Sequence, residues 1–426
     1  MNDHKHSFLQ EVTEQIKSKE AKKFIKLELD HHIQHAKNDW MQKGLTEDEA
    51  EEKAVVQMGS PQMLGQQFNK LHRPKIDWLL LILLGVTLLL GFMPLLSVAI
   101  KGYASNDPLL LKKAIFIVLG GVIAIGIMLG DYRRLKNLGL YFFSFGMGIL
   151  FLLFFIGDVF NGVYVYHLGP VWVDSTVAMP FFIIAWASFL QNDHFNYWKI
   201  CILFIFSVIL FLPVGGIPSF FLYAIMVFIM LLWSGRDIKK TLIMAGAGII
   251  SVGIAGIVVF PSIKPYQLSR LTGFLQPESY PNSAGYIYLR MRELLADAGW
   301  TGHSVSNPKL FDFEPHTDLV FVSLTYHYGW IFGIGLMSVL LLFVGRMLGV
   351  LRKINDSFGK LLVFGAMILF TIQVVYNIGM SLGLLPITSM SLPFISYGFM
   401  PVVLNAIIIG IVLSVYRRKD LIISVM

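Results

Sequence analysis

The sequence is short of cysteine and short of charge. Its 426 residues hold one cysteine, Cys201, so one chain forms no internal disulfide and no cysteine-based metal centre. Only 14% of the residues are charged against 55% hydrophobic, and the mean hydropathy is +0.66. That balance excludes a soluble globular protein. A cleavable signal peptide is not expected either, because residues 1–75 are polar and charged. The net charge of +7 lies mostly in stretches between apolar runs, which is the pattern of membrane-protein loops, so membrane lipids and no nucleic acid are the expected surroundings.

What the chain does have is a succession of apolar runs, rich in its 34 phenylalanines. Ten are read, at about 78–100, 114–130, 138–157, 173–190, 199–213, 217–234, 241–261, 319–344, 361–384 and 399–416. Several approach the ~20 residues that a spanning helix needs, while the fourth to sixth are short or interrupted. The expected fold class is an all-α polytopic membrane protein of about ten transmembrane helices, with one large loop, 262–317, between the seventh and eighth. One set of loops holds Arg73 and Lys75, Arg133, Arg134 and Lys136, Lys199, Arg236, Lys239 and Lys240, Arg346, Arg352, Lys353 and Lys360, and Arg417, Arg418 and Lys419. The opposite set is poorer, with Lys101, Lys112 and Lys113 in its first loop. The asymmetry predicts a multi-pass protein with both termini in the cytoplasm and loop 262–317 outside.

Residues 1–73 read as a separate helical prefix, with a docking or regulatory role, ahead of a membrane domain at 78–420. Phe8, Leu9, Val12 and Ile16 recur at helical spacing, as do Phe24, Leu27, Ile33, Ala36 and Trp40. Thr46-Glu47-Asp48-Glu49 has the form of a capping box, and Ser60-Pro61 that of a helix start. His4, His6, His31, His32 and His35 are scattered without metal-ligand spacing and read as solvated.

The chemistry concentrates in loop 262–317 and the helix start that closes it, Glu314-Pro315-His316-Thr317-Asp318. Pro315 suits a first helical turn, which places Asp318 at the start of a span running to about Phe343, at the water–lipid boundary. A carboxylate there serves either as a helix cap or as an ionised proton acceptor. The same loop carries Arg270, Arg290, Arg292 and Lys309, and the small residues Gly299, Gly302, Ser304 and Ser306. Transfer of a sugar from a lipid-linked diphosphate needs these types: a base for the attacking hydroxyl, cations for the departing diphosphate, and room for close approach.

Several blocks resemble the SEDS family (the RodA/FtsW/SpoVE proteins). They are Arg270-Leu-Thr-Gly-Phe-Leu-Gln-Pro277, Gly285-Tyr286, Gly299-Trp300-Thr301-Gly302 with Ser304, Glu314-Pro-His-Thr-Asp318, Asn377-Ile-Gly-Met-Ser-Leu-Gly-Leu-Leu-Pro386 and Leu392-Pro393-Phe-Ile-Ser396-Tyr397-Gly398. The resemblance covers about 78–420 and implies a peptidoglycan glycosyltransferase that polymerises lipid II into β-1,4 glycan. Such enzymes serve cell-shape, division or sporulation wall synthesis in a bacterial cytoplasmic membrane. It implies Asp318 as catalytic base. Substrate contacts fall to Glu314, Arg270, Lys309, His316, Thr317, Ser304, Asn377, Ser396 and Tyr397, the last three otherwise holding the packing of the final spans. It further implies a class B penicillin-binding protein transpeptidase as partner. No cofactor is required by the sequence, although a divalent cation, Mg or Mn, near the diphosphate is compatible with the chemistry.

The chain also departs from the family. Two adjacent glutamates after the aspartate are here Tyr326 and His327, the Gln-Pro-Asp-Leu-Gly motif is Leu212-Pro213-Val214-Gly215-Gly216, and the Gln-Pro-Ser-Glu segment has no clear counterpart around Asp174–Pro180. Alternatives to catalysis are a lipid II transporter and a non-catalytic scaffold of the wall-synthesis complex.

Overall fold

The computed structural model describes residues 3–17, 19–72, 74–99, 109–160, 163–169, 171–192, 194–237, 239–243, 246, 265–303 and 316–420. They form two compact units, Met1–Ile76 with Tyr416–Met426, and Asp77–Val415.

In the first unit, α1 (Asp3–Glu14), α2 (Lys19–Gln42), α3 (Glu47–Gln57) and α4 (Pro61–His72) follow one another. Phe8 and Val12 of α1 and Ile25, Leu29 and Ile33 of α2 recur every four residues and bury one stripe each, with Ala54 of α3 against them. Glu49 accepts hydrogen bonds from the amide and the hydroxyl of Thr46, at 3.2 and 2.7 Å, which fixes the start of α3. Lys37 is buried and joins α2 to α3 through Glu47 and Glu51, each at 2.9 Å. Those two hydrogen bonds hold the Lys37 ammonium above its ordinary value, and Glu47 is correspondingly held below the usual carboxylate range.

The second unit contains α5 (Trp78–Leu90), α6 (Met93–Ala99), α7 (Leu109–Leu129), α8 (Gly139–Ile156), α9 (Met179–Gln191), α10 (Tyr197–Trp233), α11 (Pro265–Leu275), α12 (Tyr286–Asp297), α13 (Val320–Leu351), α14 (Ser357–Ser381) and α15, Phe399–Arg417. Among the described residues seven helices are long and apolar enough to cross a membrane, and Ser175–Gln191 is a shorter apolar helix. The run 241–261 lies almost wholly outside the described residues. The fifth and sixth runs are the two halves of α10. Gly216, at φ 63° and ψ −175°, turns the chain back, so that Ser207 and Tyr223 hydroxyls meet at 2.6 Å across it. Sixteen residues of straight helix would hold them about 24 Å apart.

Between α8 and α9 the chain adds three short antiparallel strands, Asp158–Phe160, Val163–Leu168 and Val171–Val173, which the run pattern did not predict. Two basic residues counted with loops are structural clamps. Arg346 pairs with the buried Asp77 at 2.7 Å, and Asp77 also caps α5 at Leu80. The guanidinium of Arg236 donates to the carbonyls of Phe189, Leu190, Asn192 and Phe195, closing the carboxyl end of α9.

Candidate functional site

The span expected to open at Asp318 is broken. Gly329 stands at φ 83° and ψ 171°, a backbone only glycine adopts readily, and it divides α13 into a helix at 320–328 and a spanning helix at 330–351. The two pieces fold against each other, since a Cβ at Gly333 would lie 2.8 Å from the Thr325 hydroxyl. Residues 320–327 are buried on every side, so no exposed stripe runs along this helix, and Ser323, Thr325 and His327 are buried with its apolar residues. Asp318 therefore does not open a single straight span. It lies in a turn, 316–319, that nine helical residues, 320–328, separate from Gly329, about 13 Å along the axis.

A break inside a membrane bundle leaves backbone groups without helical partners, and these must be satisfied by other protein groups. Segment 299–303 does this. The amides of Trp330 and Ile331 donate to the carbonyls of Gly299 and Trp300 at 3.0 and 3.2 Å, and the His303 amide donates to the Tyr326 carbonyl at 3.2 Å. The backbones meet so closely that a Cβ on Gly302 would lie 2.3 Å from the His327 carbonyl, and one on Gly329 would lie 2.2 Å from that of Trp300. The glycine-rich segment thus has a structural cause: it is spliced into the broken helix.

Three consecutive carbonyls of the Asp318 turn are each held by a donor from elsewhere. The Tyr397 amide donates to His316 O, the Ser396 hydroxyl to Thr317 O and the Asn377 amide to Asp318 O, all at 2.8 Å. Asn377 donates also to Met390 O at 2.6 Å, and Ser396 Oγ accepts from the Leu392 amide at 2.8 Å. The rings of His316 and Tyr397 meet edge-on at 5.3 Å. Asn377 and Ser396 are fully buried. Their side chains bond the backbone of the turn and of the closing motif, which agrees with the packing role that was the alternative to substrate contact. His316, Thr317 and Asp318 are partly exposed.

Other predicted residues fall elsewhere. Arg270 is in α11, with its side chain outside the described residues, as are Ser304, Lys309 and Glu314 altogether. The motif around Arg270 closes a tight crossing: a Cβ on Gly273 would meet Ala284 O at 2.4 Å, and one on Gly285 would meet Pro277 O at 2.2 Å. That crossing leads into α12, whose Tyr288 hydroxyl accepts from the Ile387 amide at 2.8 Å, and the Trp330 indole donates to Leu295 O at 3.0 Å. Tyr326 and His327 are buried, with Tyr326 stacked on His303 at 5.0 Å. The sequence reading missed Lys113, which is no loop cation but a fully buried residue of α7. Its uninterrupted apolar context from Ala114 onward was the available signal. Among the described residues no three of His, Cys, Asp and Glu converge to hold a metal ion.

Comparison with known proteins agrees with this architecture. Residues 75–421 match the FtsW/RodA/SpoVE family, described as "Cell cycle protein". The "Probable peptidoglycan glycosyltransferase FtsW" of Saccharophagus degradans is 26% identical over 296 residues, 66% of this chain and 75% of that one. The "Peptidoglycan glycosyltransferase RodA" of Treponema pallidum is 31% identical over 161 residues, 37% of each. A solved structure described as "Structural coordination of polymerization and crosslinking by a peptidoglycan synthase complex" shares the fold, with a TM-score of 0.67 at 24% identity over 81% of this chain and 98% of that one. With its apolar helices and a match over most of its length, the chain is an all-α, multi-pass membrane protein of the FtsW/RodA/SpoVE cell cycle family.

Proposed function

We propose that this protein is a peptidoglycan glycosyltransferase that polymerises lipid II into β-1,4 glycan, with Asp318 as its general base. One observation carries the residue assignment: the backbone of His316, Thr317 and Asp318 is fixed at three successive carbonyls while the residues themselves stay partly exposed. A base is effective when it is held in place before the substrate arrives. The names of the relatives support the reaction class.

In the proposed step, the Asp318 carboxylate takes the proton of the acceptor sugar's 4-hydroxyl as that oxygen attacks the anomeric carbon of a second lipid II. The bond from that carbon to the diphosphate breaks, its electron pair leaves with undecaprenyl diphosphate, and inversion gives the β linkage. Glu314 positions the acceptor, with His316, Thr317 and Ser304 at its side. Arg270 and Lys309 offset charge on the leaving diphosphate. No ligand set for Mg or Mn emerges among the described residues, so no step is routed through a metal. Segment 265–303 and the Asp318 turn face outward, both termini are cytoplasmic, and a class B penicillin-binding protein crosslinks the product. The coordination of polymerization and crosslinking named for the structural neighbour supports that partner.

The test is turnover. Purified protein in liposomes, given lipid II, should form glycan strands and release undecaprenyl diphosphate. Translocation of lipid II without strand formation would contradict the proposal and favour a transporter.

A further inference from the structure

Lys113 is a fully buried lysine inside α7, and burying an ionisable side chain in a membrane helix is costly unless it is used. Its partners are three successive carbonyls: Nζ donates to Phe394 O and Ser396 O at 2.9 Å and lies 3.5 Å from Ile395 O. Among the described residues no carboxylate stands within ion-pair distance of it. Phe394 itself has φ 63°, the one non-glycine residue with positive φ among those described, although it is a buried aromatic packed beside Phe343 and Phe370. Bulky residues enter that region at a cost and stay there when their surroundings fix them. The Phe394 carbonyl is wedged from a second direction, since a Cβ on Gly91 would lie 2.6 Å from it and 3.2 Å from Lys113 Cε.

The segment so gripped is the one that holds the Asp318 turn. Ser396 and Tyr397 supply two of the turn's three donors. Phe116, one helical turn beyond Lys113, sits 6.1 Å from the Tyr397 ring. We infer that Lys113 is a positioning residue for the proposed reaction: by pinning the carbonyls of Phe394 and Ser396 it sets the donors that fix the backbone at His316 and Thr317, and so the aspartate beside them. This rests on the assignment of Asp318 as base, but its structural half stands apart from that assignment.

The part Lys113 plays is that of a donor. Two carbonyls lie at 2.9 Å, so a neutral amide with two N–H groups meets the need, whereas a thioether of similar length cannot. The test compares Lys113→Met, Lys113→Gln and Gly91→Ala with the parent by two readouts. The first is amide hydrogen exchange over 392–400 in the full-length protein in detergent. Lys113→Met should speed exchange at Ser396 and Tyr397 by about tenfold or more, with Lys113→Gln within about threefold of the parent. Gly91→Ala should reproduce Lys113→Met, because it pushes on the same carbonyl while keeping the lysine.

The second readout is lipid II polymerisation. Lys113→Met should lower kcat by about 10²-fold with KM nearly unchanged, since a misplacement near 1 Å has that effect. Unchanged exchange in Lys113→Met overturns the inference, and so does Lys113→Gln behaving as badly as Lys113→Met. If Lys113→Met does not fold, the Gly91→Ala exchange decides alone. If the parent polymerises nothing, the base assignment falls while the exchange result still settles whether Lys113 sets the segment.

Discussion

Replacing Asn377 by leucine separates stability from positioning. Asn377 donates to Asp318 O at 2.8 Å and to Met390 O at 2.6 Å, and its own Oδ1 is buried with no donor among the described residues. Leucine of similar volume takes this donor away from both carbonyls, at roughly 1–3 kcal/mol each. It also removes the unpaired Oδ1, which returns roughly 1–3 kcal/mol. The net loss of stability is therefore about 1–3 kcal/mol, enough to lower Tm without unfolding the protein. Activity should suffer more. With the Asp318 carbonyl released, a shift near 1 Å at the carboxylate lowers kcat by about 10²-fold. The assay is glycan formation from lipid II well below the Tm of Asn377→Leu, with the folded fraction read from a thermal melt of the same sample. An Asn377→Leu protein that is fully folded and polymerises within about threefold of the parent would refute the claim that this amide positions the aspartate.

Other expectations follow from the same contacts. Gly329→Ala combines a strained backbone, about 1–3 kcal/mol, with a 2.2 Å clash on Trp300 O, so Tm should fall and exchange at Trp330 and Ile331 should rise. Gly302→Ala presses on the other side of the same contact, and the double variant should cost less than the sum of the two; strict additivity would count against the splice. In the prefix, Glu47 and Glu49 are held below the usual carboxylate range by hydrogen bonds from Lys37 and Thr46. Their contribution is present above the unfolded carboxylate value and is lost as pH falls through the lower folded value. Protection of amides over 37–57 in the full chain, relative to their intrinsic exchange at the same pH, should therefore fall below about pH 4, and Lys37→Met should abolish the Glu47 part of that dependence.

Much of the fold was legible because lipid solvent forces long apolar helices, and those runs are visible without any contact information. The prefix was legible from spacing and caps: Phe8 and Val12, Thr46 with Glu49, and Pro61 each stand where the sequence placed them. The break at Gly329 was not, because Val320–Phe343 reads as one continuous apolar run whether or not it bends. Its signal lay 27 residues away, in Gly302, and only the folded chain brings the two glycines together. The strands at 158–173 are too short for periodicity to separate them from a polar-interrupted loop. Lys113 was hidden by its neighbours: Lys112 and a charge-sparse boundary made it look like a loop cation. The residues of the closing motif were visible, and holding the final spans was one of the two roles read for them, yet which carbonyls they bond was not, because donating to a backbone carbonyl leaves no trace in side-chain type.

The physical picture is of a carboxylate carried on a turn with little freedom. Three carbonyls are tied, the helix behind is buried on all sides, and the break that ends it is filled by another segment's backbone. Such rigidity is expensive in a membrane bundle and is of use where one atom must meet another at a set distance.

The most direct test of this account changes one oxygen to nitrogen at that turn. Asp318→Asn keeps the size and the backbone contacts, so it should fold and bind lipid II within about threefold of the parent while strand synthesis falls by roughly 10²–10⁴-fold. Strand synthesis at the parental rate by the folded asparagine protein would contradict it.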